Sequence, residues 1–142
     1  MNKALLTCAL LFFFANTSSA QDIKIDSLGF ETFSITEGDT TYIMKKYFMV
    51  FLNKGTNTNQ TPEETASIQQ GHMDHINKMA EANQLSIAGP FGDDGDTRGI
   101  FILNVPTLDQ AKKLVSQDPA VIAGRLIMEV RPWWAAQGST LK

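Results

Sequence analysis

Cysteine is almost missing: Cys8 is the only one in 142 residues, and it falls in an N-terminal stretch that reads as a removable leader. The chain left after that leader has no disulfide, no thiol nucleophile and no thiolate metal site. Charge of one sign is also scarce. Twelve Lys and Arg stand against fifteen Asp and Glu, and removing Lys3 with the leader shifts the net charge from −3 to −4. With no basic stripe, nucleic acid is not expected as a partner. Beyond the leader no stretch approaches the ~18 uninterrupted apolar residues of a membrane helix, so no membrane insertion of the mature chain is expected. There is no Gly-x-Ser-x-Gly elbow, no internal repeat and no low-complexity tract. The glycines between Gly92 and Gly99 precede a strand rather than a helix, so they form no phosphate cradle. What is present is 43% apolar residues overall, and roughly 39% without the leader, ordinary for one globular domain.

The leader has three regions. Lys3 supplies the positive end, Ala4 to Ala15 is apolar, and Asn16-Thr17-Ser18-Ser19-Ala20 is a polar exit of small residues. Ser18-x-Ala20 fits the small-x-small cleavage rule, so residues 1–20 are expected to be a signal peptide and Gln21 the mature N-terminus. The apolar run is too short to span ~30 Å of hydrocarbon. The expectation is an exported protein, periplasmic or secreted.

Residues 21–43 form an extension in which Ile23, Ile25, Phe30, Phe33 and Ile35 are scattered among polar residues, with Gly38-Asp39 as a turn. It reads either as a linker or as one or two edge strands. From there the pattern sharpens. Tyr47 to Leu52 is a strand-length apolar run stopped by Asn53-Lys54-Gly55. Thr61-Pro62-Glu63-Glu64 opens a helix through a capping box with proline at its first position, and the helix is expected to reach about Asn83. Leu85 to Ala88 is a short strand ended by Gly89-Pro90. Phe91 to Asp96 is a turn, and Arg98 to Val105 another strand. A second helix runs from Thr107-Leu108 to about Ser116. Asp118-Pro119 starts a further helical turn ended by Gly124, and Leu126 to Arg131 is the last strand, closed by Pro132-Trp133-Trp134.

The order strand–helix–strand–strand–helix–strand is the split βαβ pattern of a ferredoxin-like α+β sandwich. Both faces of its sheet are apolar, because Tyr47, Met49 and Phe51 alternate with Phe48, Val50 and Leu52. Helices cover one face. The other needs either the N-terminal strands folded across it or a second copy of the chain, and a homodimer is the expectation.

On a wheel of about 100° per residue, His72 falls in the apolar sector of the first helix, between Ile68 and Ile76, and His75 lies at its edge. A ring turned toward the sheet needs a hydrogen-bond partner. It is either a core histidine satisfied by a backbone carbonyl or a general acid or base, imidazole being the side chain that titrates near neutral pH. Asp93, Asp94 and Asp96, crowded into the turn after Gly89-Pro90, offer a carboxylate to orient it; the alternative is a solvated hairpin turn. A calcium loop does not fit, since the twelfth position counted from Asp93 or Asp94 is Asn104 or Val105 rather than Glu. Two histidines at i, i+3 are a weak metal signal, and no metal site is expected.

These residues resemble a known family. His72-Met73-Asp74-His75-Ile76, then Leu85-x-Ile87-Ala88-Gly89-Pro90-Phe91 and Asp93-Asp94-Gly95, are similar to the YCII-related family of dimeric α/β-barrel proteins. Arg98-Gly99-Ile100, Thr107-Leu108, Ala111, Asp118-Pro119, Gly124 and Val130-Arg131-Pro132-Trp133 follow the same template, which spans about Met44 to Trp134. The resemblance implies a ferredoxin-like protomer in residues 44–135, with 136–142 as a tail, whose sheet packs on a second copy. It also implies small-molecule enzymology by a helix histidine and a turn aspartate. That role carries over to His72, which lies at the family's spacing before Gly89-Pro90, and to Asp93 or Asp94. The expected export signal and the extension are departures from most relatives, which are cytoplasmic.

The expected function is therefore cofactor-independent proton transfer, an isomerisation or elimination, on a small organic molecule. His72 acts as acid/base, Asp93 or Asp94 orients it, and His75 and Arg98 contact the substrate, Arg98 through an anionic group. The competing class is a module of the same fold that binds a small ligand, or serves assembly, without turnover.

Overall fold

The computed structural model describes residues 22–141; the expected leader and cleavage site lie outside them. The chain order is β1 (Lys24–Ile25), β2 (Glu31–Glu37), β3 (Thr40–Lys54), α1 (Pro62–Glu81), β4 (Leu85–Pro90), β5 (Thr97–Leu103), α2 (Leu108–Ser116), α3 (Pro119–Ile122) and β6 (Leu126–Ala136). All strand pairs are antiparallel. β3 is the central strand: β6 runs along one edge from Met44 to Lys54, and β5 takes the other edge from Phe48 to Asn53, with β4 outside β5. This βαββαβ arrangement is ferredoxin-like.

Local signals explain the helices. Thr61 accepts from Glu64 N at 3.2 Å, while the Glu64 carboxylate accepts from Thr61 N at 2.8 Å, so two orphan N–H groups of α1 are satisfied reciprocally. The far end stops where Asn83 turns left-handed at φ 56° and Gln84 N reaches back to Met79 O. Thr107 caps α2 and Asp118 caps α3, each through its side-chain oxygen.

The core lies between the helices and one sheet face. Phe48, Val50 and Leu52 of β3 and Phe101 and Leu103 of β5 meet Met79 of α1 and Ala111 and Val115 of α2. Burying a side chain of the larger size contributes about 1.5–3 kcal/mol, so this alternation fixes the register of β3: a slip by one residue would turn the whole set outward.

The extension is not a linker. β2 pairs with the first half of β3 from Thr32↔Lys45 to Glu37↔Thr40, and β1 pairs with β2. β2 thus lies along the edge of β3 that β5 occupies farther on. These strands lengthen the sheet; they do not fold across its second face, where Ile127 and Trp133 are exposed and the Tyr47 and Trp133 rings lie with centroids 6.4 Å apart. The β3 strand starts at Thr40, so the boundary expected at residue 43 falls inside a strand. Phe33, buried against Trp134 with ring centroids 4.8 Å apart, ties β2 to the end of β6. Lys45 lies over the Phe30 ring at 3.6 Å and donates to Asn104 at 2.7 Å. Burial holds its ammonium below the usual lysine range, with Asp26 opposing, and burial likewise raises the Tyr47 phenol. β6 continues past Arg131 through Pro132, which its edge position tolerates. No helix among the described residues is long and apolar enough to cross a membrane.

Candidate active site

Two hollows stand out. The smaller, about 490 Å³, has Lys113 as the single ionisable group in its wall. The larger, about 780 Å³, is lined by α1, by the ends of β3, β4 and β5 that meet there, by Ala120 of α3 and by the start of β6. It holds His72, Lys54, Arg98 and Arg125, and its volume is that of a small-ligand site.

His72 is 8% exposed, and its Nδ1 lies 2.7 Å from Oδ2 of Asp118, whose side chain is fully buried. The other carboxylate oxygen, Oδ1, accepts from Ala120 N at 2.8 Å. One side chain therefore caps α3 and holds the histidine ring. A carboxylate is acceptor-only, so Nδ1 carries the proton it donates to Asp118. The lone pair is then on Nε2, which makes no hydrogen bond to the described residues. Phe101 stacks on the ring at a centroid distance of 6.0 Å and 23° between planes. Ring tilt and tautomer are thus both set, and the free nitrogen belongs to a residue of the cavity wall. On this tautomer Nε2 is the acceptor nitrogen of the ring.

The close approach of α3 to α1 makes this contact possible. Gly71 sits beside Pro119, and a Cβ there would come within 3.0 Å of Pro119 Cγ. Glycine inside a helix costs roughly 1 kcal/mol relative to alanine; its presence next to His72 is explained by the space Pro119 takes. Gly124, left-handed at φ 70°, then turns the chain from α3 into β6 and delivers Arg125 to the cavity.

The sequence expectation about the orienting aspartate is corrected. Asp93 and Asp94 are exposed, neither lines the cavity, and Asp93 accepts instead from Gly95 N at 3.4 Å within its own turn. The hairpin between β4 and β5 carries them into solvent. His75 does not join the site either: its Nε2 lies 3.0 Å from the carbonyl oxygen of Leu114 in α2, where Nε2–H donates. Backbone satisfaction, weighed for His72, describes His75. Arg98 does line the cavity, with Nη1 donating to Gly95 O at 3.3 Å. The residues that sequence reasoning left out of the site are Asp118, read as the start of a helical turn and as part of the family template, and Arg125. The glycine preceding His72 in mid-helix was the available signal that another element packs closely there.

The YCII-related domain matches residues 47–134, well over half of the chain. The chain is similar to the Bacillus subtilis protein YjpA, 25% identical over 63 residues, which is 44% of this chain and 72% of that protein. Among solved structures it is similar to 5-chloro-2-hydroxyhydroquinone dehydrochlorinase from Burkholderia phenoliruptrix, in complex with 2,5-dihydroxybenzoquinone. The TM-score is 0.45 at 18% identity, covering 61% of this chain and 92% of that one.

Proposed function

The chain belongs to the YCII-related family, and we propose that it is a small-molecule enzyme that moves a proton by His72–Asp118 acid/base chemistry, an isomerase or lyase. The observation that supports this reading is the 2.7 Å contact from His72 Nδ1 to a fully buried Asp118, made by a histidine that lines a cavity. His72 Nε2 takes a proton from the bound molecule; Asp118 fixes the ring and stabilises the imidazolium that forms; the same nitrogen returns the proton to another atom of the substrate or to a leaving group. Such a cycle is complete with side chains alone and requires no cofactor.

His72→Gln tests it. The amide keeps the approximate volume and a polar contact to Asp118 but cannot titrate. Turnover on a substrate found by screening small lactones, phenols and enol acids is expected to fall ~10²–10⁴-fold, with the fold retained. A variant that melts early while its folded fraction keeps full activity would assign His72 to the core instead.

The working unit in this proposal is a homodimer. Ile127 at 51% and Trp133 at 38% exposure lie on the sheet face that the helices leave open, and β1 and β2 extend the sheet without crossing that face. A second copy is the partner whose matching apolar surface would cover it. The chain is also proposed to be exported, through cleavage before Gln21.

A further inference from the structure

We propose that the substrate taken by this cavity is a small carboxylate with an apolar body, its acid group held by Arg125 with Arg98 on the rim; the inference rests on the reading of the His72 cavity as the place of chemistry. The charged side chains of the cavity wall are Lys54, Arg98 and Arg125, and no Asp or Glu lines it. That composition runs against the molecule as a whole, in which fifteen acidic residues outnumber twelve basic ones. Asp118 stands behind His72 with both oxygens engaged.

Arg125 is the anchor. It is half-buried, and its Nη1 donates to Gln60 Oε1 at 3.1 Å and to Thr65 Oγ1 at 3.3 Å. Those neutral oxygens aim the guanidinium without neutralising it. No carboxylate of the described residues forms an ion pair with it, and Nε and Nη2 are left to donate in the planar fork that matches a carboxylate. A half-buried, aimed and unneutralised guanidinium has an anion as its natural complement. The remaining wall includes Ile68, Ile76, Phe101 and Leu126, which favour a hydrocarbon or aromatic body over a polyhydroxylated one. Arg98 is exposed and Lys54 is exposed, so both act at the mouth, raising the local concentration of anions more than fixing their pose.

The test is calorimetric titration of the full chain with matched acid and amide probes: benzoate and benzamide, 3-hydroxybenzoate and its amide, cyclohexene-1-carboxylate and its amide. At least one acid is expected to bind about 10–100-fold more tightly than its amide, the range of a charge-assisted hydrogen-bonded contact. Arg125→Gln, shown folded by its melting curve, is expected to lose that preference. Arg125→Lys keeps the charge without the fork and is expected to retain part of it, a readout that a merely structural tie to Gln60 and Thr65 would not produce. His72→Gln is expected to keep the preference. Should no acid bind better than its amide, or should Arg125→Gln keep the preference, the inference is overturned. A preference lost in His72→Gln but kept in Arg125→Gln overturns it too, by moving recognition to the imidazole. A wild type that prefers acids through Arg125 yet shows no proton transfer supports this inference while the proposed enzyme function fails.

Discussion

Replacing Asp118 by Asn probes the site without knowledge of the substrate. The side chain is fully buried and accepts from two donors, Ala120 N and His72 Nδ1. In Asp118→Asn the Ala120 N–H selects the amide oxygen, so the amide NH₂ must face His72. It donates, and Nδ1 becomes an acceptor. The ring proton moves to Nε2, the nitrogen that must be free to act as base. The stability loss is small, because a charge-assisted bond of about 1.5–3 kcal/mol is replaced by a neutral one of about 0.5–1.5 kcal/mol, a difference of roughly 1 kcal/mol. Asp118→Ala, which strands both donors, is expected to cost about 2–6 kcal/mol, from ~1–3 kcal/mol for each buried donor left unsatisfied. Imidazole ¹⁵N shifts read the tautomer directly, and denaturant melts read the stability. Turnover in the Asn variant is expected to fall by ~10²–10⁴-fold although the fold survives. A His72 ring that stays protonated on Nδ1 in Asp118→Asn, or a rate equal to the wild type's, would refute the positioning argument.

Gly71→Ala gains about 1 kcal/mol of helix propensity but places a Cβ 3.0 Å from Pro119 Cγ; melting is expected to move little while activity drops, as α3 is pushed from His72, and unchanged activity would show that the contact has slack. Asp93→Asn with Asp94→Asn, both exposed and outside the cavity, is expected to shift stability by less than ~0.5 kcal/mol and leave turnover intact; a loss of two orders of magnitude would restore the turn to the mechanism. Sedimentation of residues 21–142 is expected to give twice the chain mass at micromolar concentration, and a stable monomer would contradict the dimer. Intact mass of the exported protein is expected to begin at Gln21, and a product retaining Met1 to Ala20 would contradict export.

The elements most legible in the sequence were those with local causes. Thr61-Pro62-Glu63-Glu64 announces its helix because the capping box closes within four residues, and Tyr47 to Leu52 reads as a strand from its apolar run. His72 was legible as a polar ring on an apolar face. Its partner was not, since Asp118 lies 46 positions away and its local role, capping Ala120, already accounts for an Asp before Pro. A carboxylate has two oxygens, and only the packing of α3 on Gly71 shows that the second is used. The crowded Asp93-Asp94-x-Asp96 drew attention by composition, which carries no information on direction; the hairpin aims it at solvent. β2 and the first residues of β3 were similarly obscure, because polar Thr-rich strands and linkers share a composition and cross-strand pairing alone separates them.

In the proposed cycle His72 exchanges a proton with a molecule in the cavity. Its most direct test is to incubate the protein in D₂O with the best-binding substrate of the screen and follow deuterium entering one C–H position by NMR. Wild type is expected to exchange that position stereospecifically, and His72→Gln, equally folded, to do so ~10²–10⁴-fold more slowly. Equal exchange by the two proteins would remove His72 from the proton transfer.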